Sequence, residues 1–323
     1  LAPAAVAYGT AAAVKGYARL ERQIGRIGIT AEASAEETRA AMASLQDAAS
    51  QYALPIDEAV AGLDSLVASG KNLKEAMAFL PSVLASAQAS GAAVADIATT
   101  ADAMSTSLGI GAERMTAAFD ILAAAGKAGK FELKDMAAEL PSLTPAFAAL
   151  GYTGEAGLKK LAAALQTVRM QTGTSAEAAT ALQNVFQKME TTQTVSNFAK
   201  FGIDLRKELA KARAEGKDVL DTFINLSELA TKGDLSKLPQ LFTDAQLLQG
   251  MRALISGADG MERLVAALGS ADGTVLKDLN RVLEDTESKI QKLDNAWKKM
   301  WASAGGALVE AGGADAMDAI ANA

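Results

Sequence analysis

Asp57-Glu-Ala-Val-Ala-Gly-Leu-Asp-Ser-Leu-Val-Ala-Ser-Gly-Lys71 aligns without gaps on Glu113-Arg-Met-Thr-Ala-Ala-Phe-Asp-Ile-Leu-Ala-Ala-Ala-Gly-Lys127. Ala61, Asp64, Leu66, Ala68, Gly70 and Lys71 recur as Ala117, Asp120, Leu122, Ala124, Gly126 and Lys127. Further on, Leu80-Pro-Ser-Val-Leu-Ala-Ser-Ala-Gln-Ala-Ser-Gly91 matches Leu140-Pro-Ser-Leu-Thr-Pro-Ala-Phe-Ala-Ala-Leu-Gly151. The offset is 56 residues between Asp57 and Glu113 and 60 between Pro81 and Pro141, so the second copy carries an insertion near Ala128 to Leu133. Self-similarity at such an interval points to a helical module written twice, each copy burying an apolar face that it cannot bury alone.

The apolar positions inside the first copy set the fold class. Ile56, Val60, Leu63 and Val67 step by four, three and four, which is one face of a helix stopped at Gly70. Half of the 323 residues are hydrophobic, yet only 5% are aromatic, and alanine supplies much of the remainder. Alanine has the best intrinsic helix propensity, and its small side chain favours close helix-to-helix approach. No run alternates apolar and polar residues as a strand would. The chain is expected to be all-α.

Working outward, the sequence predicts a helix from Ala4 to Gln23, broken by Gly25-Arg-Ile-Gly28. Ser34-Ala-Glu-Glu37, Asn72-Leu-Lys-Glu75 and Thr174-Ser-Ala-Glu177 are capping boxes, each opening a helix. Leu80-Pro81 is expected to interrupt or restart a helix, and its second copy divides Phe131–Leu140 from Leu143–Leu150. The charges crowded between Phe198 and Leu220 read as a solvated, ion-paired surface.

Toward the end the pattern changes. Leu276, Leu279, Leu283, Thr286, Ile290, Leu293, Trp297 and Met300 advance alternately by three and four, an a/d heptad seam that is apolar at all but Thr286. Leu276, Leu279, Leu283, Ile290, Leu293, Trp297 and Met300 are therefore the candidate self-association residues. Five segments result: N-terminal helices over 1–53, the duplicated module over 54–173 and short helices over 174–271. A coiled-coil-like helix over 272–303 and a Gly- and Ala-rich linker over 304–323 complete the chain. It begins at Leu1 without a methionine and stops in Ala-Gly-rich sequence, and it reads as part of a longer polypeptide.

The sequence excludes much chemistry. Cysteine and histidine are both absent, which removes disulfides, the usual zinc ligands, Ser-His-Asp triads and Cys-His pairs. A net charge of −7 with interspersed signs argues against a dedicated nucleic-acid surface. Gly109-Ile-Gly111 lacks the third glycine and the preceding strand of a dinucleotide site, and Gly70-Lys71 and Gly126-Lys127 lack the upstream glycine of a phosphate loop. Leu247-Leu-Gln-Gly250 and Thr286-Glu-Ser288 match fragments of lytic transglycosylase motifs in reversed order, without the surrounding sequence. No catalytic, cofactor-binding or metal-binding residue is assigned. Trp297 and Trp301 with Lys292, Lys298 and Lys299 offer an alternative, an amphipathic membrane contact.

Several stretches resemble phage tail tape measure proteins. They are Leu20-Glu-Arg-Gln-Ile-Gly-Arg-Ile-Gly-Ile-Thr-Ala-Glu-Ala-Ser34, Phe119-Asp-Ile-Leu-Ala-Ala-Ala-Gly126 and Met136–Gly151. Gly157–Gly173 with the Thr174 box, Phe201-Gly-Ile-Asp204 and Leu293-Asp-Asn-Ala-Trp297 extend the resemblance across Leu20 to Leu308. It implies a non-enzymatic structural protein of long-tailed phages or tail-like particles, in three or six self-associating copies inside the tail tube. Its length would set tail length during assembly in the host cytoplasm, and it would leave through the tip to help DNA enter the host. The implied partners are the tail tube protein, tail tip or baseplate proteins, tail assembly chaperones and the host membrane. No sequence-specific nucleic-acid binding is implied.

Overall fold

The computed structural model describes the backbone of residues 3–310, with side chains described for residues 15–300 and for Ser303. The candidate linker beyond 310 and the Trp301 side chain lie outside the described residues. About 80% of the chain is helical, and no strand occurs among the described residues. The helices are α1 (Pro3–Thr30), α2 (Ala35–Gln51), α3 (Ile56–Ala68), α4 (Leu73–Ser90), α5 (Val94–Leu108) and α6 (Ala112–Ala128). Next come α7 (Leu133–Ala148), α8 (Gly154–Arg169), α9 (Ser175–Lys188), α10 (Thr192–Ala199), α11 (Leu205–Ala214) and α12 (Val219–Thr231). The last are α13 (Leu238–Leu241), α14 (Ala245–Ser256), α15 (Ala258–Ala267), α16 (Thr274–Leu283) and α17 (Thr286–Glu310). Two compact units result, one from residues 1–98 with 276–323 and the other from residues 99–275.

In the first unit α1 packs on α2, α3 and α17, and α3 on α4. Ser34 and Asn72 form the predicted capping boxes: each side chain accepts the N3 amide, and each N3 glutamate accepts the cap amide. Gly25 and Gly28 do not break α1. A Cβ on Gly28 would stand 2.3 Å from the Thr38 hydroxyl oxygen, so glycine here permits close approach of α2. The predicted stop at Gly70 holds, with a left-handed φ of 94° just past α3.

The second unit is organised around α8. Leu158, Leu161, Ala162, Ala163, Ala164, Leu165 and Val168 are fully buried, with α6, α7, α9, α14 and α15 around them. A helix buried all round also buries its polar residues, and each of these finds a partner. Gln166 accepts from the amides of Lys130 (3.0 Å) and Phe131 (3.1 Å) and donates to the Phe131 carbonyl (2.6 Å). It thus pins the stretch where the second sequence copy carries its insertion. Gly129 is required there, because a Cβ would fall 2.0 Å from the Gln166 amide oxygen. At Gly250, α14 crosses α9 closely enough that a Cβ would meet Val185 at 2.7 Å and the Ala181 carbonyl at 2.9 Å. The small-residue packing expected from composition is realised at this crossing.

The internal prolines do not divide their helices. Pro81 lies within α4, and Pro141 and Pro145 lie within α7. Proline lacks an N–H, so Pro141 leaves the carbonyl of Ala137 without its ordinary helical donor. The buried Thr100 hydroxyl donates to that carbonyl at 2.8 Å. α4 and α7 both open on leucine and carry proline at the ninth position, but packing does not repeat with the sequence. Asp64 is exposed in α3, whereas its aligned Asp120 in α6 is buried and accepts from the amides of Gly273 (2.8 Å) and Val275 (2.7 Å). α3 ends at Ala68, whereas α6 runs through Gly126 to Ala128. The packing therefore does not confirm the duplication.

Candidate functional site

The heptad seam does not follow one helix. Asp285 accepts from the Ser288 amide at 2.6 Å, so it acts as an N-cap, and the chain stops and restarts between α16 and α17. Thr286, placed at a core position by the heptad, is the first residue of α17. Leu279 is buried, Leu283 half-buried and Leu276 exposed. The outward apolar stripe that remains lies on α17 alone. Ile290 is 63% exposed, Leu293 70%, Trp297 58% and Met300 51%.

α17 is mounted with its polar side inward. Among its described side chains, Ser288 and Asn295 are the buried ones. The Ser288 hydroxyl donates to the Val282 carbonyl at 2.9 Å. The Asn295 amide donates to the carbonyl of Ala49 in the last turn of α2 at 3.1 Å and to that of Leu54, just past its end, at 2.8 Å. Lys299 pairs with Asp47 on α2, and Lys298 with Asp294 on its own helix at 2.7 Å. Two of the three lysines in the amphipathic membrane pattern are thus in ion pairs. A surface helix ordinarily turns its apolar stripe to its own core. Here the apolar residues face solvent and a hydrogen-bonding face holds the helix down.

In the second unit a cleft of about 520 Å³ is bordered by Tyr152, Lys160, Asp218, Asp221 and Glu262. Gly151 and Gly154, both at positive φ, turn the chain so that the Tyr152 ring stacks on Phe147, with centroids 4.0 Å apart. The Tyr152 hydroxyl donates to Asp218 at 2.5 Å and accepts from the Leu220 amide at 2.9 Å. Asp218 in turn caps α12 by accepting from the Asp221 amide at 2.9 Å. The Lys160 ammonium, 8% exposed, pairs with Asp221 and lies 3.4 Å from Asp218. Burial pushes the Asp221 carboxyl up, helped by neighbouring Asp218 and opposed by the Lys160 hydrogen bond. Burial and the adjacent Asp218 charge push the Tyr152 hydroxyl well up as well. The group is an ionic staple joining α8 to α12. Sequence reading missed it because Tyr152 and Lys160 lie 58 to 69 residues from Asp218 and Asp221; the Gly151–Gly154 loop was the one local sign.

Among the described residues no group of three or more Asp or Glu side chains is arranged to hold a metal ion, and no helix is long and apolar enough to cross a membrane. The Gly250 of the transglycosylase-like fragment is the crossing glycine of α14, and Ser288 sits in the first turn of α17.

A family model described as phage-related minor tail protein matches residues 46–309, and the chain belongs to that family. Among its relatives are tape measure proteins. It is 28% identical over 320 residues to the "Probable tape measure protein" of Burkholderia phage BcepMu, covering 91% of this chain and 37% of the relative. It is 23% identical over 306 residues to the "Tape measure protein" of Pneumococcus phage Dp-1, covering 90% of this chain and 25% of the relative. The chain thus spans about a third and a quarter of the length of these two relatives. No solved structure matches it.

Proposed function

We propose that this chain is a non-enzymatic segment of a tape measure protein, held in several copies inside the tail tube and attached to a longer ruler. The observation that carries the reading is the solvent-facing apolar stripe on α17, supported by likeness to tape measure proteins over most of the chain. Burial of about 25 cal/mol per Å² of apolar surface favours covering such a stripe with another chain. The ruler's remaining length would set the tail length, and its departure through the tip would assist genome delivery.

A single unbroken helix of this chain would reach about 480 Å at 1.5 Å per residue. The folded chain instead breaks into helices of at most 28 residues, which suits a module at one place on the ruler. Protease protection tests the interior location. In intact tails the chain should resist added protease, and after DNA release it should be cut. Cleavage in intact tails would overturn the placement.

A second reading, contact with the host membrane, is favoured by exposed Trp297. It requires a blue shift of tryptophan emission on anionic vesicles that is lost in Trp297→Ser. Unshifted emission removes it.

A further inference from the structure

Among the described residues, Glu32, Ala53 and Lys232 are non-glycine residues with a left-handed backbone. Glu32 and Lys232 are exposed, whereas Ala53, at φ 54°, is 4% exposed at the corner between α2 and α3. Two bonds close α2 there. The Leu54 amide donates to the Ala49 carbonyl at 2.9 Å, and the Ala53 amide to the Ser50 carbonyl at 3.4 Å. α3 ends with the same pair, from Lys71 to Leu66 and from Gly70 to Val67, but its left-handed residue is glycine. Glycine takes that conformation freely, whereas the Cβ of alanine crowds the following carbonyl. A strained residue of this kind persists where its surroundings over-determine it.

Those surroundings come from α17 and α4. Ala49 precedes Ala53 and Leu54 follows it, so the Asn295 amide bridges the strained residue by holding a carbonyl on each side. The Gln88 amide of α4 donates to the Ala53 carbonyl itself at 3.4 Å, the longest bond of the set. Lys299 pairs with Asp47, two residues before Ala49. The polar contacts from α17 to α2 thus converge on this corner.

We propose that α17 is a releasable strap over the α2–α3 corner: seated, its Asn295 holds Ala53 left-handed, and lifted, it lets the corner relax and α3 move against α2.

The strain at Ala53 is then a bias toward release that the Asn295 bridge offsets. Such coupling is reciprocal: what eases the corner seats α17 more firmly, and what lifts α17 loosens the corner. In a longer ruler, a pull on α17 would be felt at the corner. That extension rests on the proposed function, whereas the coupling belongs to the purified chain and is tested there. Protease protection in tails bears on placement alone, so the two fail separately.

Amide hydrogen exchange reads both ends of the strap. Ala53→Gly alters no contact made by an α17 side chain, yet it should slow exchange over residues 290–300 about fivefold by removing strain from the seated state. The slowing is read relative to the α4 amides, which report any general gain in stability. No slowing in α17, or equal slowing in α4, would overturn the strap. In the other direction, Asn295→Leu should speed exchange of the Ala53 and Leu54 amides about tenfold. With Ala53→Gly in the background the same substitution should leave those amides protected, because glycine holds the turn unaided. Corner amides that stay protected in Asn295→Leu, or that loosen equally with glycine present, would overturn the proposal. Circular dichroism verifies the fold, and where Asn295→Leu does not fold the Ala53→Gly result decides.

Discussion

The Thr100 hydroxyl donates to the carbonyl of Ala137, the group that Pro141 leaves without a helical donor. A side chain from α5 thereby repairs a helix that its own sequence would break. Thr100→Val should cost about 1–3 kcal/mol, the usual penalty for orphaning a buried acceptor. Pro141→Ala restores a backbone donor, so Thr100→Val should cost markedly less in that background. Urea denaturation of the four chains of this double-mutant cycle measures the coupling. Equal costs in both backgrounds would mean the hydroxyl does not serve the proline.

Asn295 is the anchor of α17. Asn295→Leu removes both donors to the α2 end, and destabilisation of about 1–3 kcal/mol is expected. Hydrogen exchange should quicken in α17 first, because these donors and the Ser288 turn are the hydrogen bonds that tie its described buried side chains to the rest of the unit. Unchanged protection of α17 would show that apolar contacts with α1 hold it instead.

Tyr152→Phe keeps the stack on Phe147 but removes the donor to Asp218 and the acceptor for the Leu220 amide. A loss of about 1–2 kcal/mol is expected. Lys160→Met should cost more, about 2–3 kcal/mol, because it leaves Asp218 and Asp221 facing each other at the edge of the core. Thermal unfolding of both variants ranks them, and the reverse order would contradict the account.

Stability should fall in acid. Hydrogen bonds from Arg114 hold Glu155 below its ordinary value, those from Gln249 and the Gly173 amide lower Glu177, and those from Lys188 and the Leu247 amide lower Asp244. A lowered folded pKa gives stability that is present above the unfolded value and lost as pH drops through the folded one. Asp221 runs the other way, since its raised pKa favours the protonated form in the folded chain. The acid limb should therefore lie below the ordinary carboxylate range. Glu155→Gln should remove less than about 1 kcal/mol of it, because Arg114 is solvent-screened. Stability–pH profiles of native and E155Q chains check both statements.

Much of the architecture was legible in the sequence, for local reasons. Alanine content and the absence of alternating runs pointed to helices, while Ser34 with Glu37 and Asn72 with Glu75 marked helix starts that the structure contains. The third box is only half formed. Thr174 accepts the Glu177 amide, but the Glu177 carboxylate goes to Gly173 and Gln249, a partner from a distant helix. The misreadings share that origin. Proline and glycine read as breaks at Pro81, Pro141 and Gly25–Gly28; at Pro141 a tertiary neighbour supplies a donor, and at Gly28 one requires a small residue. The heptad arithmetic ran across Glu284 and Asp285 because periodicity ignores a cap. The Tyr152–Lys160 staple left no local signature, since fold alone brings its members together.

The reversed mounting of α17 bears on how the sequence tolerates change. A mutational scan scored on stability of the isolated chain should find Ser288 and Asn295 intolerant and Ile290, Leu293 and Trp297 permissive. The same scan scored on infectious particles should also find the apolar trio restricted. Two selections would then read opposite sides of one cylinder, and a residue neutral in the test tube could be lethal in the virion.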